Sequence, residues 1–236
     1  MDVDNFVIVP NTHWNSLYFH RKLLLEAVLS MKPLVKGDLL DVGCGTQPYR
    51  SLFEHLTSYT GIDVATSAHS LRPDTVVYDG ESIPFPANSF DWVMATEVLE
   101  HVRRPDLLLS SVYTVLRPGG GFFLSVPFWA GVHEPPYDFH RWTNYGLVDE
   151  LERTGFERIE IRPLGNWHTS AAAFIRLYLA NCKTPWWTRY WLPRLTWIVS
   201  NLIAKLDLEI PQTMCIGWFA VAYKPQNPNL KLGGRW

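Results

Sequence analysis

The sequence predicts an α/β fold in which a doubly wound, mostly parallel sheet carries helices on both faces. Three observations predict it. An apolar strand at residues 39–42 runs directly into two near-adjacent glycines, Gly43 and Gly45, which is the layout of a strand that feeds a tight turn. Apolar strands then alternate with helical or loop segments, a pattern that implies right-handed crossovers between parallel strands. Polar residues stand where successive strands end, and these ends meet at one crevice of such a sheet.

The first half of the chain is expected to supply five parallel strands. Residues 1–14 are predicted to form an irregular arm, and a helix follows from residue 16 to Met31, before Pro33. Strands are predicted at residues 39–42, 59–63, 75–78, 90–95 and 121–126. The segments between them predict helices at 47–56 and 106–116, a loop at 80–89, and a break at 117–120.

The second half of the chain predicts one more helix and two more strands. The helix spans residues 144–154, with Thr143 as its N-cap and Gly155 directly after its end. The strands lie at 156–161 and 216–223. We therefore divide the chain into an N-terminal arm and helix, 1–36; a core, 37–164 and 212–224; a helical insertion before the final strand, 165–211; and a loose tail, 225–236.

Composition and charge limit the classes of function. The formal net charge of −2 argues against nucleic acid as a partner. The three cysteines form neither a disulfide framework nor a metal-ligand spacing, and the first residues lack the pattern of a signal peptide. No run of about 18 uninterrupted apolar residues occurs, which argues against a simple membrane-spanning helix. These observations predict a cytoplasmic location.

The turn after the first strand organises the predicted site. Gly43 and Gly45 allow positive φ and a close approach of the main chain to a ligand. Asp63 closes the second strand, where a carboxylate can accept two hydrogen bonds from ribose hydroxyls. Pro48 stands where a dinucleotide fingerprint has its third glycine, so the pattern favours a nucleoside without phosphates over NAD. A tight turn that binds no ligand remains the alternative at this point.

Six motifs then occur in an order that resembles the class I S-adenosylmethionine-dependent methyltransferases, in particular those of the methyltransferase-11 type. They are Leu39-Leu40-Asp41-Val42-Gly43-Cys44-Gly45-Thr46, Gly61-Ile62-Asp63, Asp79-Gly80, Phe90-Asp91-Trp92-Val93, Glu97-Val98-Leu99-Glu100-His101-Val102 and Leu116-Arg117-Pro118-Gly119-Gly120. The resemblance covers residues 37–164. It implies a Rossmann-like, doubly wound sheet of seven strands, in which the last strand is antiparallel and inserted between the fifth and the sixth.

The resemblance also implies a cofactor, S-adenosyl-L-methionine, and the residues that contact it. Asp41, Gly43 and Gly45 would contact the methionine end, and Asp63 would hold the ribose. Asp79, with Gly80 or Glu81, would lie near the adenine, and Thr96 and Glu97 would lie on the substrate side.

The segment after the fifth strand, residues 127–142, is expected to cross the mouth of the crevice. It is dense in ionisable and aromatic side chains for a connecting loop. A hydroxyl acceptor needs a general base, and His133 together with His101 is the preferred candidate. Further catalytic candidates are Asp138 and His140. The substrate-binding candidates are Trp129, Tyr137 and Arg141, whose guanidinium could clamp a carboxylate or phosphate of the acceptor.

Structural alternatives for these residues stay open. Asp138 and Arg141 could form a structural ion pair, with His140 packed in the loop, and residues 100–101 could be an ordinary helix start. The loop residues that offer metal-ligand atoms are His133, Glu134, Asp138 and His140. Their spacing matches no helical or hairpin metal site, so no metal is predicted.

The insertion combines tryptophans and apolar residues with interspersed cationic residues. This composition at residues 174–204 suits a helix that lies at a membrane interface, and it predicts a peripheral membrane contact. A helical lid over the active site, or a homodimer contact, is the favoured alternative.

Together these features predict an S-adenosylmethionine-dependent methyltransferase that acts on a hydroxyl oxygen of a small-molecule or glycan- or lipid-linked acceptor. Residues 138–143 also resemble methyltransferases that accompany bacterial polysaccharide and glycolipid assembly, so a sugar hydroxyl is the leading acceptor and a quinone-like natural product, methylated on oxygen or carbon, comes next. The rival hypotheses are a non-catalytic scaffold with the same fold and an NAD-dependent oxidoreductase.

Overall fold

A seven-stranded mixed sheet forms the centre of the chain. The computed structural model describes residues 18–67, 69–181 and 214–227, with isolated positions between 185 and 202. The strands are β1 (Asp38–Val42), β2 (Ser58–Val64), β3 (Val76–Tyr78), β4 (Phe90–Thr96), β5 (Leu116–Pro127), β6 (Glu157–Leu164) and β7 (Gly217–Tyr223). Their order across the sheet is β3-β2-β1-β4-β5-β7-β6, and β7 runs antiparallel to both neighbours. The predicted doubly wound sheet and the inserted last strand are confirmed.

Four α-helices accompany the sheet in the described part of the chain: α1 (Tyr18–Met31), α2 (Pro105–Val115), α3 (Asn144–Thr154) and α4 (Trp167–Asn181). The predicted ends of α3 are confirmed. The Thr143 hydroxyl accepts a hydrogen bond from the Gly146 N–H at 3.0 Å, and Gly155 ends the helix in the left-handed conformation.

Two predicted boundaries are wrong. The segment between β1 and β2 holds a short 3-10 turn at Arg50–Phe53 in place of a helix over 47–56. Gln47 adopts a φ of +58°, which an α-helix does not accommodate, and its side chain bonds to Thr75 across the turn. The predicted break at 117–120 is part of β5, because Leu116 already pairs with Phe90 and an irregularity in the register absorbs the extra residues.

Apolar side chains cover both faces of the sheet. On one face, β1, β4 and β5 pack against α2 and α3 in a cluster that includes Val93, Leu109, Val112, Phe122 and Leu147. On the other face, α1 and the 3-10 turn pack through Leu24, Val28, Phe53, Met94 and Phe123. Burial on both faces accounts for the continuous apolar runs of the central strands.

Helix α4 begins the predicted insertion and leaves much of its apolar surface exposed. Ala172 and Ala173 pack against Ile216, whereas Phe174, Ile175 and Tyr178 are exposed. In the described part of the chain, no helix has the length and apolar character to cross a membrane. The predicted arm at 1–14, the residues after 227, and the tryptophans at 186, 187 and 197 lie outside the described residues.

The turn after β1 is the tightest feature at the carboxyl edge of the sheet. Gly43 has a φ of +64°, and a Cβ placed there would lie 2.5 Å from Cγ2 of Val98. Gly45 has a φ of +49°, and its N–H donates a hydrogen bond of 2.7 Å to the carboxylate of Asp63. The turn therefore needs glycine at both positions and is joined to the tip of β2.

We expect Gly43→Ala to lower the free energy of unfolding by about 1–3 kcal/mol, because the left-handed backbone and the contact with Val98 both oppose a Cβ. Urea unfolding measures the change. Gly131→Ala is the matched control, since its Cβ would meet its nearest neighbour at 3.6 Å, an ordinary van der Waals distance. Equal unfolding midpoints for the two variants would contradict the assignment of strain to position 43.

Candidate active site

A cavity of about 1050 Å³ lies beyond the carboxyl ends of β1, β2 and β4. Most of the residues predicted from the sequence line it: Asp41, Gly43, Gly45, Asp63, Asp79, Gly80, Thr96, Glu97, His101, Trp129, His133 and Tyr137. The strand ends and the loop after β5 therefore share one space, as expected for an open α/β sheet.

Asp63 stands at the glycine end of this cavity and is almost fully buried. One carboxylate oxygen accepts the Gly45 N–H and the other accepts the Val64 N–H, each at 2.7 Å. Because each oxygen of an ionised carboxylate has two acceptor sites, both retain capacity for a further donor. Asp63 can thus hold the turn and accept hydroxyl groups of a ligand at the same time.

Asp41 lies beneath the same turn and accepts a hydrogen bond from the Tyr59 hydroxyl. Burial raises the pKa of Asp41 to about 7 in spite of that hydrogen bond, and the charge of Asp63 adds to the rise. The glycine end of the cavity therefore carries two neighbouring carboxyl groups, an environment that suits a cationic amino group and opposes a phosphate.

Asp79 shapes the far side of this end. Its Oδ1 accepts the backbone N–H groups of Glu81 and Ser82, at 2.8 and 2.7 Å, and these bonds lower the pKa of the carboxyl. The turn that results places Gly80, with a φ of +92°, in the lining of the cavity.

Glu97 meets a residue that the sequence analysis did not identify, His20 of helix α1. Oε1 of Glu97 accepts the Ser125 hydroxyl at 2.7 Å, and Oε2 lies 3.1 Å from Nε2 of His20. Burial alone would lower the pKa of His20, but the Glu97 carboxylate outweighs it and the pKa is raised. With Arg21 and Leu24, His20 makes α1 one wall of the cavity.

Two histidines face each other at the other end, 4.8 Å apart between ring centroids. Nδ1 of His101 lies 2.5 Å from the Tyr137 carbonyl oxygen, and Nδ1 of His133 lies 3.0 Å from that of Gly131. A carbonyl oxygen only accepts, so each Nδ1 carries a hydrogen, and in the neutral form of the ring Nε2 offers a lone pair. Beneath them Glu100 is buried, and burial together with the charge of Glu97 holds the pKa of its carboxyl well above the ordinary range.

Residues 40–124 match the family model described as a methyltransferase domain. The ubiquinone biosynthesis O-methyltransferase of Ralstonia nicotianae is 33% identical over 129 residues, which are 49% of this chain and 54% of that protein. Residues 40–124 therefore form a class I S-adenosylmethionine-dependent methyltransferase domain. The family, the fold and the cofactor predicted from the sequence are confirmed. The chain spans about half the length of the curated relatives it matches.

Solved structures share the fold of this methyltransferase domain. An S-adenosylmethionine-dependent methyltransferase from Archaeoglobus fulgidus superposes with a TM-score of 0.54 at 16% identity, over 89% of this chain and 97% of that one. The [4+2]-cyclase SpnF superposes with a TM-score of 0.57 at 21% identity, over 88% and 83% of the two chains. Identities this low establish the fold alone, and the second structure is named for a reaction other than methyl transfer.

Three residues predicted to act in the methyltransferase site lie outside the cavity lining: Asp138, His140 and Arg141. The Asp138 side chain is 2% exposed and accepts two hydrogen bonds from Arg141, at 2.6 and 2.8 Å, and one from the His133 N–H at 2.9 Å. The guanidinium lowers the pKa of Asp138. Asp138 and Arg141 bond to each other and to the backbone and so hold the loop in shape, which fits the structural alternative.

Further cavity residues come from elements distant in the chain and were not predicted from the sequence. Ala173 and Leu177 come from α4, and Ile216 precedes β7. His20 stands beside Arg21 and Lys22 in α1, so the sequence did not distinguish it from solvent-facing polar residues. The apolar residues of α4 gave no signal that distinguishes a cavity wall from an ordinary core.

The raised pKa of Asp41 predicts a pH dependence of stability in the absence of ligand. The folded pKa of about 7 exceeds the unfolded value of about 3.9, so the contribution of this carboxyl to stability is present below about pH 4 and is lost as the pH rises through 7. In Asp41→Asn the amide cannot ionise and can still accept from Tyr59. Between about pH 5 and 8, urea midpoints of the wild type should therefore fall more than those of the variant. Parallel curves would contradict the burial of this charge.

Proposed function

We propose that the protein transfers a methyl group from S-adenosylmethionine to a hydroxyl oxygen of a small amphipathic acceptor that has a ring and a long apolar tail. The observation that carries the proposal is the continuity of one cavity, from the two carboxyl groups at the glycine turn to the two histidines and the wall of α4.

The glycine end fits a nucleoside with a cationic tail. Gly43 and Gly45 leave space that a Cβ would fill, Asp63 retains acceptor capacity for ribose hydroxyls, and Asp41 lies where an amino group would be neutralised. The pyrophosphate of NAD would meet the same two carboxyl groups, so charge disfavours a dinucleotide there. The volume of the cavity leaves room for an acceptor beside the cofactor.

When bound, S-adenosylmethionine would supply a methyl group on a sulfonium. The acceptor oxygen would bond to the methyl carbon as the carbon–sulfur bond breaks, and the hydroxyl proton would pass to a base, for which His133 and His101 are the predicted candidates. The chain contributes position and environment to this step. Trp129, Tyr137 and Phe139 enclose the acceptor end, and the free Nε2 atoms of His101 and His133 can contact the acceptor hydroxyl. Orientation of this kind supplies roughly 7–11 kcal/mol toward the barrier.

The wall formed by α4 supports an apolar tail on the acceptor. Ala173 and Leu177 line the cavity, and Trp129 packs against Phe174, 5.9 Å between ring centroids, whose own side chain is 61% exposed. Apolar surface thus runs from the acceptor end of the cavity to the outside of α4. Relatives named as ubiquinone biosynthesis O-methyltransferases support a hydroxylated quinone-like ring over the sugar that the sequence favoured.

Exposed apolar residues on α4 and at described positions between 190 and 202 support a peripheral membrane contact through residues 174–204. Trp191 is 63% exposed, and Tyr190, Leu195, Ile198 and Leu202 add exposed apolar area. Arg194 lies 3.7 Å over the Tyr190 ring, the arrangement of cationic and aromatic groups that suits lipid headgroups. A tail that enters along α4 would come directly from such a bilayer.

Isothermal titration with S-adenosylmethionine, S-adenosylhomocysteine and NAD tests the cofactor. We expect the first two to bind and NAD not to bind, and Asp63→Ala to weaken binding by about 1.5–3 kcal/mol through loss of a charged acceptor. Asp74→Ala is the control, since this carboxylate pairs with Arg50 outside the cavity. Tight NAD binding, or equal affinity in Asp63→Ala, would contradict the assignment. Mass spectrometry of hydroxylated quinone precursors and glycolipids incubated with labelled cofactor then identifies the methylated class.

Flotation with liposomes that contain anionic lipid tests the membrane contact. The wild type should float, and the double variant Phe174→Asp/Trp191→Asp should remain in the dense fraction because charge replaces exposed apolar area. Tyr145→Asp is the matched control, as Tyr145 is 81% exposed on α3. Absence of flotation in the wild type would leave a lid or a homodimer contact as the role of this segment.

A further inference from the structure

Glu100 is in an unusual environment for a carboxylate. It is 0% exposed, and neither of its side-chain oxygens has a hydrogen-bond partner within the described part of the chain. A buried charge without a donor is strongly unfavourable, so the position requires either a proton or a cation close to these oxygens. Its backbone carbonyl, by contrast, accepts the Phe139 N–H at 2.8 Å.

Two imidazoles lie beside this carboxylate. Nε2 of His101 is 3.8 Å from Oε1 of Glu100, too far for a hydrogen bond, and one ligand atom from each of Glu100, His101 and His133 lies within 4.8 Å of the others. Ligand atoms that share one ion at about 2.0–2.2 Å lie about 3.5 Å apart in tetrahedral geometry, so these side chains must move closer by roughly an ångström, a movement within reach of side-chain rotation.

The surroundings orient the imidazoles as metal ligands are oriented elsewhere. Each Nδ1 is held at a backbone carbonyl, that of Tyr137 for His101 and that of Gly131 for His133, and neither Nε2 has a hydrogen bond to another described residue. Asp138 accepts the His133 N–H at 2.9 Å and so fixes the loop at this point. The loop and the turn after β4 are thus locked together around the three ligand atoms.

We infer that Glu100, His101 and His133 bind a divalent transition-metal ion. Two imidazoles and one carboxylate suit Zn²⁺, Fe²⁺, Co²⁺ or Mn²⁺ and leave coordination positions open. Glu97 is not part of the set, because its oxygens are occupied by Ser125 and His20. The sequence predicted no metal because its spacing argument considered the loop residues and did not include Glu100.

The inference deepens the proposed function and rests on it for the role of the ion. His101 and His133 line the cavity, so an ion held by them would lie beside the acceptor. Such an ion would bind the acceptor hydroxyl and lower its pKa, and the proton would pass to solvent as the oxygen attacks the methyl carbon and the carbon–sulfur bond breaks. The two histidines then act as ligands and not as proton acceptors.

The test uses the full chain after chelator treatment, without cofactor or acceptor. Visible d–d absorption during a Co²⁺ titration and calorimetry with Zn²⁺ report binding. We expect one ion per chain, with affinity reduced roughly tenfold or more in Glu100→Gln and in His101→Ala. His168→Ala controls for adventitious binding, since this histidine lies on α4 outside the cavity lining and should leave the affinity unchanged.

Thermal unfolding separates ligation from a structural role of Glu100. In chelator, Glu100→Gln should be at least as stable as the wild type, because the neutral amide replaces a buried carboxyl whose ionised form has no donor to stabilise it. Saturating Zn²⁺ should raise the melting temperature of the wild type and not that of the variant. Equal metal affinity in wild type and Glu100→Gln, or no binding by the wild type, would overturn the inference. Binding of S-adenosylhomocysteine is measured on the same samples. If S-adenosylhomocysteine binds and the metal does not, the metal inference fails and the proposed function stands. If neither binds, both fail.

Discussion

The hydrogen bond from the Gly45 N–H to the Asp63 carboxylate, 2.7 Å long, joins the turn after β1 to the tip of β2. It forms only because β1 and β2 are parallel and adjacent, with Asp41 opposite Gly61 in the register. The same bond holds the main chain close to the space that a nucleoside would fill. The shape of the cofactor end of the cavity depends on this junction. So do the position of Asp41 beneath the turn and the lack of room for a Cβ at Gly43 and Gly45.

The acceptor end of the cavity is formed by loops that polar contacts hold together, and not by the edge of the sheet. The loop after β5 has no regular structure, and polar contacts to the turn after β4 give it its shape. Phe139 donates to the Glu100 carbonyl, Tyr137 accepts from His101, and Arg141 holds the buried Asp138. Side chains that appear suited to chemistry in the sequence are here used for support, and this support brings His101 and His133 together above Glu100.

These two ends meet in one cavity that α1 and α4 close from the sides. Helix α1 brings His20 to Glu97, and α4 brings apolar residues to the acceptor side while its outer face remains exposed. The arrangement explains how a fold shared with proteins of different reactions acquires a selective site, since the sheet supplies the cofactor end and the added helices supply the rest.

The sequence alone predicts the sheet, the glycine turn and the polar strand ends that line the cavity. These features depend on local patterns: apolar strands, glycines that permit positive φ, and polar residues at strand ends that parallel pairing brings together. It did not determine the short turn between β1 and β2, the supporting role of Asp138 and Arg141, or the grouping of Glu100 with two histidines. The tertiary structure decided these three features. Each depends on which polar groups have hydrogen-bond partners and which are buried without one. Contacts between residues distant in the chain determine this, and the local sequence does not show them.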